Sequence, residues 1–267
     1  MGDGGWYIYP IGDTHLGTKH CTESDLIKKV QEIKDTPTAL WIGMGDYGEF
    51  ISPRDKRWDG KVVADWLAED RDNIAEGQTE YIYKLFKGIA SKCIGLIEGN
   101  HEDAMRRFGN VDVQKNLCKR LEVPNLGYSA WVRLRFTREN SAERHVFPCV
   151  FTHGAGWAIT PGAKMNRLQR LMSSFSARVY GIGHMHDVIT STIPYLELTD
   201  ANLIKQKERV GAITGSWVRA YSQGIAASYA EIKGYPPTSL GCPRFVVNPS
   251  SGGVRVEGYQ QGGRIGS

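Results

Sequence analysis

The first half of the chain alternates strand-like apolar runs with helical patterns, and this alternation restricts the fold more than any other feature. Strand-like runs lie at Trp6–Ile11, Ala39–Gly43 and 93–97, and helical patterns over 23–34 and 61–92 separate them. Such alternation predicts βαβ units, in which parallel strands form a sheet and the helices cover it. We therefore predict an α/β fold.

The second half is predicted to consist mainly of strands. The strand patterns follow short helical patterns near 111–121 and 162–175 and lie at 129–136, 145–152, 178–183, 188–198, 207–214, 243–248 and 253–259. We predict a single domain over 1–250, followed by a Gly-rich C-terminal strand and frayed tail over 251–267.

Two details of the first half add expectations. Pro10 lacks the N–H that a central strand needs, so we expect the first strand to start at Ile11 or to contain a bulge. Thr22 directly precedes the helical pattern at 23–34, with Asp25 three residues further on, and this spacing predicts an N-cap.

Composition excludes several classes of protein. The 267 residues are 41% hydrophobic with a net charge of +4, which is ordinary for a globular chain and too weak a surplus to predict nucleic-acid binding by itself. No stretch approaches the roughly 18 apolar residues of a membrane span, and the N-terminus lacks the apolar run of a signal peptide, so we expect a cytoplasmic protein. The five cysteines are odd in number and never form C-x-x-C, which argues against disulfides and a thiolate zinc site.

Five short segments place Asp, His or Asn after an apolar run and next to glycine, at 12–15, 45–49, 99–102, 152–154 and 183–186. The carboxyl ends of parallel strands share one edge of a sheet, where ligand crevices form, so we expect these segments to meet there. In extended chain, residues two apart point the same way, so Asp13 with His15, and His184 with His186, would each form a pair of ligands.

One such motif alone is more often a turn with a structural histidine, but five in matching positions indicate a metal site. Carboxylate and imidazole ligands without thiolates favour Mn²⁺, Fe or Zn²⁺ in an open catalytic site. His20 and His145 lie outside these segments and are predicted to be structural.

The order of the segments, D-x-H, G-D, G-N-H-D/E, H and G-H-x-H, resembles the calcineurin-like metallophosphoesterase superfamily. All five blocks are present between Asp13 and His186, about two-thirds of the chain. The resemblance implies two mixed β-sheets packed as a sandwich and flanked by helices, with a two-metal centre at one edge.

The resemblance also implies a ligand for each block. One divalent ion would be held by Asp13, His15 and His186, the other by Asn100, His153 and His184, and the Asp46 carboxylate would bridge them. Manganese is the favoured metal, with iron and zinc as alternatives. A solvent molecule between the two ions would be acidified to a hydroxide that attacks phosphorus near neutral pH.

Two further residues take roles by the same resemblance. His101 follows the ligand Asn100 and, protonated, would donate to the departing oxygen as a general acid. Glu49 lies three residues after Asp46, and its carboxylate would hydrogen-bond His101 and fix its tautomer. The implied protein is an enzyme, a metal-dependent phosphoric ester hydrolase.

The sequence differs from one branch of the family in a way that narrows the choice of substrate. The Ser/Thr protein phosphatases have arginines at two positions where this chain has Phe50 and Glu98. Without an arginine clamp for a dianion, a phosphodiester of nucleic acid or nucleotides is the expected substrate. Arg106 and Arg107 could still supply phosphate contacts. The alternatives are a phosphomonoesterase acting on nucleotides, small metabolites or phosphoprotein, and a non-catalytic metal-binding module.

Two basic segments bear on a DNA or RNA partner. The segment 51–59 contains Arg54, Lys56, Arg57 and Trp58, and either clamps a nucleotide or forms a solvated loop whose Trp58 packs against the following helix. A row of Lys164, Arg167 and Arg170 on the helix at 162–175 either tracks a phosphate backbone or is simply solvated. Two further aromatic segments also bear on such a partner: Trp157 lies shortly after His153, and Trp217 is followed by Arg219 and Tyr221.

Overall fold

Two five-stranded sheets pack face to face. The computed structural model describes residues 5–51, 53, 55, 57–67, 73–137, 144–156 and 158–258. The first sheet has the order β10-β9-β1-β2-β3, formed by Gly253–Glu257, Arg244–Asn248, Trp6–Ile11, Ala39–Gly43 and Cys93–Leu96. The second has the order β4-β5-β6-β8-β7, formed by Ser129–Thr137, Arg144–Thr152, Val179–Ile182, Ile204–Thr214 and Val188–Leu198.

Both sheets are mixed. In the first, β1, β2 and β3 are parallel, and β9 and β10 add antiparallel strands. In the second, β5, β6 and β8 are parallel, and β4 and β7 are antiparallel strands at the two edges. The predicted fold class, α/β with two mixed sheets packed as a sandwich and flanked by helices, is confirmed.

The helices cover the outer faces of the sandwich. Helices α1 (Glu23–Asp35), α2 (Ile74–Phe86), α3 (Asn100–Phe108) and α4 (Val113–Leu121) follow strands of the first sheet, and α5 (Pro161–Ser174) packs on the second. A single turn, α6, spans Tyr229–Ile232. Between the sheets lies an apolar layer that includes Ile8, Ile42, Phe147 and Phe245, so burial on the inner faces holds the two sheets together.

Pro10 does not interrupt β1, and both alternatives expected for it are wrong. β1 begins at Trp6 and pairs with β2 in continuous register through Pro10 and Ile11. Its pairing with β9 extends only from Trp6 to Ile8. Pro10 therefore lies where β1 has one neighbouring strand, and the missing N–H does not remove a bond to β9.

The cap predicted at Thr22 is also wrong in its chemistry. Thr22 precedes α1, but its hydroxyl donates to the carbonyl of Trp217 at 2.9 Å and makes no cap hydrogen bond. The α1 face that carries Leu26, Val30 and Ile33 is buried against the first sheet, as the spacing predicted.

The remaining differences are local. The helical pattern at 61–92 resolves into α2 between two 3₁₀ segments at Asp65–Leu67 and Lys87–Lys92, and α3 was not predicted. The tail predicted to fray falls mainly on 259–267, which lie outside the described residues. Among the described helices, none has the length and apolar character needed to cross a bilayer.

Candidate metal centre

The five polar segments meet at one edge of the sandwich. Asp13 and His15 follow β1, Asp46 follows β2, and Asn100 begins α3 after β3. His153 follows β5, and His184 and His186 follow β6. Every one of these strands belongs to a parallel pair, so their carboxyl ends lie on the same side of the molecule.

The backbone is left-handed at most of these positions. Nine non-glycine residues have a positive φ among the described residues, and five of them are Asp13 (48°), His15 (45°), Asp46 (52°), His184 (67°) and His186 (48°). Such conformations are unfavourable for residues with a Cβ and concentrate at functional sites. They also correct our expectation of extended ligand pairs, because β1 ends at Ile11 and β6 at Ile182.

The first group of candidate ligands consists of Asp13, His15 and His186. One ligand atom from each lies within 4.8 Å of the others. The Nε2 atoms of His15 and His186 are 3.1 Å apart, and Asp13 Oδ1 is 3.2 Å from His186 Nε2. The other oxygen of Asp13 accepts the backbone N–H of His184 at 2.9 Å, which fixes the carboxylate.

The second group consists of Asp46, His153 and His184, again within 4.8 Å. His153 Nε2 lies 3.3 Å from Asp46 Oδ2 and 3.0 Å from Asn100 Oδ1. On its other side His153 Nδ1 donates to the Met44 carbonyl at 2.7 Å. That bond fixes the tautomer and turns the Nε2 lone pair towards the oxygens.

Asp46 lies between the two groups. Its Oδ2 is 3.3 Å from His153 Nε2 in one group and 3.9 Å from His15 Nε2 in the other, and its Oδ1 accepts the backbone N–H of His101 at 2.9 Å. Burial raises the pKa of this carboxyl, but the neighbouring His153 and His101 outweigh burial and hold the pKa well below its usual range. Asp46 is therefore the anionic centre of the edge.

The donor set fits cations. When His153 is neutral, its proton lies on Nδ1, and three acceptor atoms then face one another. These atoms are His153 Nε2, Asn100 Oδ1 and Asp46 Oδ2, and none of them carries a proton. Asp13 Oδ1 and His184 Nδ1 are buried without a hydrogen-bond partner among the described residues. Clustered buried acceptors need a positive charge, which a proton or a metal ion can supply. Accordingly the carboxylates raise the pKa of His153 to about 10, although burial alone would lower it.

His101 lies beside the first group of candidate ligands, but it is not one of the predicted ligands. Its ring meets that of His15 edge to face with centroids 4.6 Å apart, and its Nδ1 donates to the Glu49 carbonyl at 2.5 Å. Burial lowers the pKa of His101, but Asp46 and Glu49 outweigh burial and raise the pKa above its usual value. This direction favours the protonated ring. The bond to the Glu49 carbonyl uses Nδ1 and not Nε2.

Glu49 makes a different contact from the one expected. Its carboxylate accepts from His15 Nδ1 at 2.9 Å, whereas His101 is held by the Glu49 backbone carbonyl. The carboxylate thus sets the tautomer of His15 and directs His15 Nε2 into the first ligand group. Glu49 lies at the predicted place, but its side chain positions a candidate ligand rather than the candidate acid.

Glu102 is a site residue to which the sequence analysis gave no role. Its buried carboxylate accepts three backbone N–H groups, from Gly99 at 2.9 Å, Asp46 at 2.9 Å and Tyr47 at 2.8 Å. Burial and the charge of Asp46 raise its pKa to about 7. Glu102 therefore joins the loop after β2 to the start of α3. Its place in the G-N-H-E block was the signal that could have revealed it.

The glycines of the blocks permit close approach of these loops. A Cβ on Gly99 would lie 2.1 Å from Asp46 Oδ1 and 2.3 Å from the Asp46 nitrogen. Gly45 has φ +89°, and a Cβ there would lie 2.8 Å from His153 Nδ1. Both positions therefore exclude side chains.

The segment 51–59 packs against the protein in its described part. Trp58 is partly buried against Val63, Leu67 and Ile74, as the packed-loop alternative predicted. Arg57 pairs with the Asp55 carboxylate at 2.8 Å. Arg54 and Lys56 lie outside the described residues, as does Trp157.

Other residues singled out in the sequence have structural surroundings. Trp217 is fully buried, and its backbone N–H donates to the Asp13 carbonyl at 3.1 Å. This bond holds the loop that follows β1. His20 is buried, and its Nδ1 is 3.2 Å from the Ser222 hydroxyl. His145 lies in β5, away from the five segments.

Comparisons with known proteins give distant structural similarity only. No family model matches the chain, and no curated relative is found. The Zn²⁺ complex of Vps29 from Entamoeba histolytica is 12% identical with a TM-score of 0.42, over 95% of this chain and 98% of that one. Vps29 from Chaetomium thermophilum is 11% identical with a TM-score of 0.38, over 96% and 95%.

A predicted phosphoesterase from Streptococcus pneumoniae TIGR4 is 11% identical with a TM-score of 0.35, over 97% of this chain and 99% of that one. At such distances the fold assignment rests on this chain's own strand order and on where its five blocks meet. The two mixed sheets and the edge at which the five blocks meet agree with the architecture that the sequence resemblance implied. The chemistry has to be argued from the side chains.

Proposed function

We propose that the protein is a metal-dependent phosphoesterase that hydrolyses phosphodiester bonds, with nucleic acid or nucleotides as the substrate class. One observation carries the proposal. Asp46 lies between two groups of His and Asp ligand atoms, and His101 lies on the flank of the same edge. A site that only bound metal would have no use for a buried imidazole beside it whose pKa, despite that burial, is raised by Asp46 and Glu49.

The residues that would hold the metals are those of the two groups. Asp13, His15 and His186 would hold one divalent cation, with Asn100, His153 and His184 for the other and Asp46 shared. Two such cations would supply charge to neutralise phosphoryl oxygens and to lower the pKa of the attacking water. Manganese is proposed first because the ligands are oxygen and imidazole without thiolate, and zinc and iron are also compatible.

The proton needed by the leaving group would come from His101. Its Nδ1–H is committed to the Glu49 carbonyl, so Nε2 is the atom that can carry the second proton. Burial lowers the pKa of His101, but the charges of Asp46 and Glu49 raise it overall, which favours the protonated ring that a general acid needs. In this role His101 Nε2 donates to the departing oxygen, and the Glu49 carbonyl keeps the ring oriented.

The proposed preference for diesters rests on the carboxylate partners of the arginine side chains near the edge. Phe50 is buried at the position where an arginine would grip a dianion. Arg106 faces Glu98 at 3.5 Å, Arg107 faces Asp103 at 2.7 Å, and Arg57 faces Asp55. Carboxylates thus compete for each of these guanidinium groups, which favours a substrate with one negative charge over one with two.

The test compares two synthetic substrates on the manganese-loaded protein, bis(p-nitrophenyl) phosphate as the diester and p-nitrophenyl phosphate as the monoester. We expect faster turnover of the diester, and loss of both activities in Asp46→Asn. Faster turnover of the monoester would favour the phosphomonoesterase alternative. Binding of metal with no hydrolysis of either ester or of nucleic acid would favour the non-catalytic module.

A further inference from the structure

A groove runs along α5 on the outer face of the second sheet. It encloses about 540 Å³ and is lined by Ala155, Ala163, Asn166, Arg167, Arg170, Leu171, Ser174, Phe175 and Ile182. Two of its lining residues are arginines and none is acidic. A volume of this size suits a nucleotide-sized ligand, whereas a duplex would have to rest on an open surface.

One end of the groove opens beside the metal centre. Ala155 lies two residues after His153, and Ile182 lies two residues before His184. Because β5 and β6 are parallel, α5 must lead from the metal edge back to the opposite end of the sheet. From Ala163 to Phe175 the helix advances about 18 Å along its own axis.

The arginines give the groove a positive wall, whereas Lys164 of the predicted row is buried and pairs with Asp187 at 3.2 Å. Arg170 is exposed on α5. Arg167 is partly buried, and its guanidinium donates to the Ala155 carbonyl at 2.5 Å, which places that cation at the metal end. The two residues are spaced three apart on one helix face, so they present successive positive charges along the groove.

An aromatic pair lies beside the groove. Phe175 lines the groove and meets Trp131 of the edge strand β4, with ring centroids 5.4 Å apart and an interplanar angle of 73°. Trp131 is 64% exposed and Phe175 37% exposed, so both rings are accessible to a ligand. Exposed aromatic rings next to a positively charged groove are how proteins hold single-stranded nucleic acid, by stacking bases and tracking phosphates.

We propose that the α5 groove binds single-stranded nucleic acid, with phosphates along Arg167 and Arg170 and a base stacked on Trp131, and leads the strand to the metal centre. This inference rests on the proposed function, because the groove opens at the edge assigned to phosphodiester hydrolysis. The occupant is a single strand, since bases are free to stack only when unpaired.

The test is direct binding of fluorescein-labelled oligothymidylate to the protein in EDTA, measured by fluorescence anisotropy. We expect binding that weakens steeply with salt and a blunt duplex that binds at least about tenfold less tightly. Trp131→Ala should weaken oligothymidylate binding by about 5- to 150-fold, the usual worth of one stacked base, and Trp131→Tyr should restore most of it.

The positive charge of the groove is tested with Arg170→Glu. Arg167 is not substituted, because it also hydrogen-bonds the Ala155 carbonyl. Arg170→Glu should weaken binding and reduce its salt dependence. The matched controls are Lys119→Glu, an equal charge reversal on α4 of the other sheet, and Leu196→Ala, which truncates a residue 70% exposed on β7. Both controls should bind oligothymidylate like the unaltered protein.

The two proposals fail in different ways. Equal oligothymidylate affinity in Trp131→Ala, Arg170→Glu and the controls would overturn the groove, as would tighter binding of the duplex. If the manganese-loaded variants then still hydrolyse bis(p-nitrophenyl) phosphate, the proposed function stands without the groove. If binding depends on Trp131 and Arg170 but the protein hydrolyses no diester, the proposal for the groove is supported and the proposed function is refuted.

Discussion

Replacing Gly99 by alanine tests whether contact between two loops sets the position of Asp46. The added Cβ would lie 2.1 Å from Asp46 Oδ1, where ordinary contact needs about 3.4 Å, so one loop must move by about 1 Å. Asp46 Oδ1 also accepts the backbone N–H of His101, and the same movement would weaken that bond. The φ of Gly99 is −97°, which alanine adopts without strain, so the effect is steric.

The expected magnitude follows from this displacement. A misplacement of about 1 Å at a reacting centre costs about 10²-fold in rate, and overpacking a close-packed site costs about 1–3 kcal/mol of unfolding free energy. Diester turnover and bound metal are measured on the manganese-loaded protein, and stability by urea unfolding. Gly88→Ala is the matched control, because a Cβ there meets nothing within 4 Å. Turnover and metal content in Gly99→Ala equal to those of the control would refute the reasoning.

Three further variants separate the roles of the site residues. Asp46→Asn should abolish diester hydrolysis and lower bound metal at both positions, as measured by elemental analysis; two ions per chain with normal turnover would contradict the shared ligand. His101→Ala should keep both metals but lower turnover by about 10²–10⁴ on substrates with poor leaving groups, and by less on nitrophenyl esters. Glu49→Gln should weaken metal binding by about 10- to 100-fold through His15, and the loss of its charge should also lower the pKa of His101. Metal binding in Glu49→Gln equal to that of the unaltered protein would contradict a positioning role of this carboxylate towards His15.

The sequence predicted the edge well because the relevant signal is local. Each block ends an apolar strand with glycine beside a ligand-type residue, and parallel strands bring such ends together whatever the helices do. The apolar runs at Trp6–Ile11 and Ala39–Gly43 therefore coincide with β1 and β2 to the residue, although the late start or bulge expected from Pro10 was wrong. Helix α3 was missed because its nine residues begin with the polar Asn100 and His101 and include few apolar residues. Its start is held by Glu102, an interaction that hydrophobic patterning does not reveal.

The partner of a charged side chain was harder to predict, because it depends on tertiary distances. Glu49 lies close to two imidazoles, and its spacing from Asp46 does not distinguish them. In the structure its carboxylate contacts His15 and its carbonyl contacts His101. Trp58 shows the same limit, since an aromatic residue in a basic segment could face solvent or pack, and here it packs on the cluster around Leu67.

The left-handed residues explain why the candidate centre needs so many supporting bonds. Each non-glycine residue in this conformation costs about 1–3 kcal/mol, so the five at the edge together cost an amount similar to the whole stability of a domain. The loops offset this through backbone bonds to one another, from Asp13 to Gly45 at 2.9 Å and from His15 to Asp46 at 3.1 Å. A cation shared by their side chains would offset more. The left-handed turns let each strand end and present a ligand within a few residues, so strain and ligand geometry have the same origin.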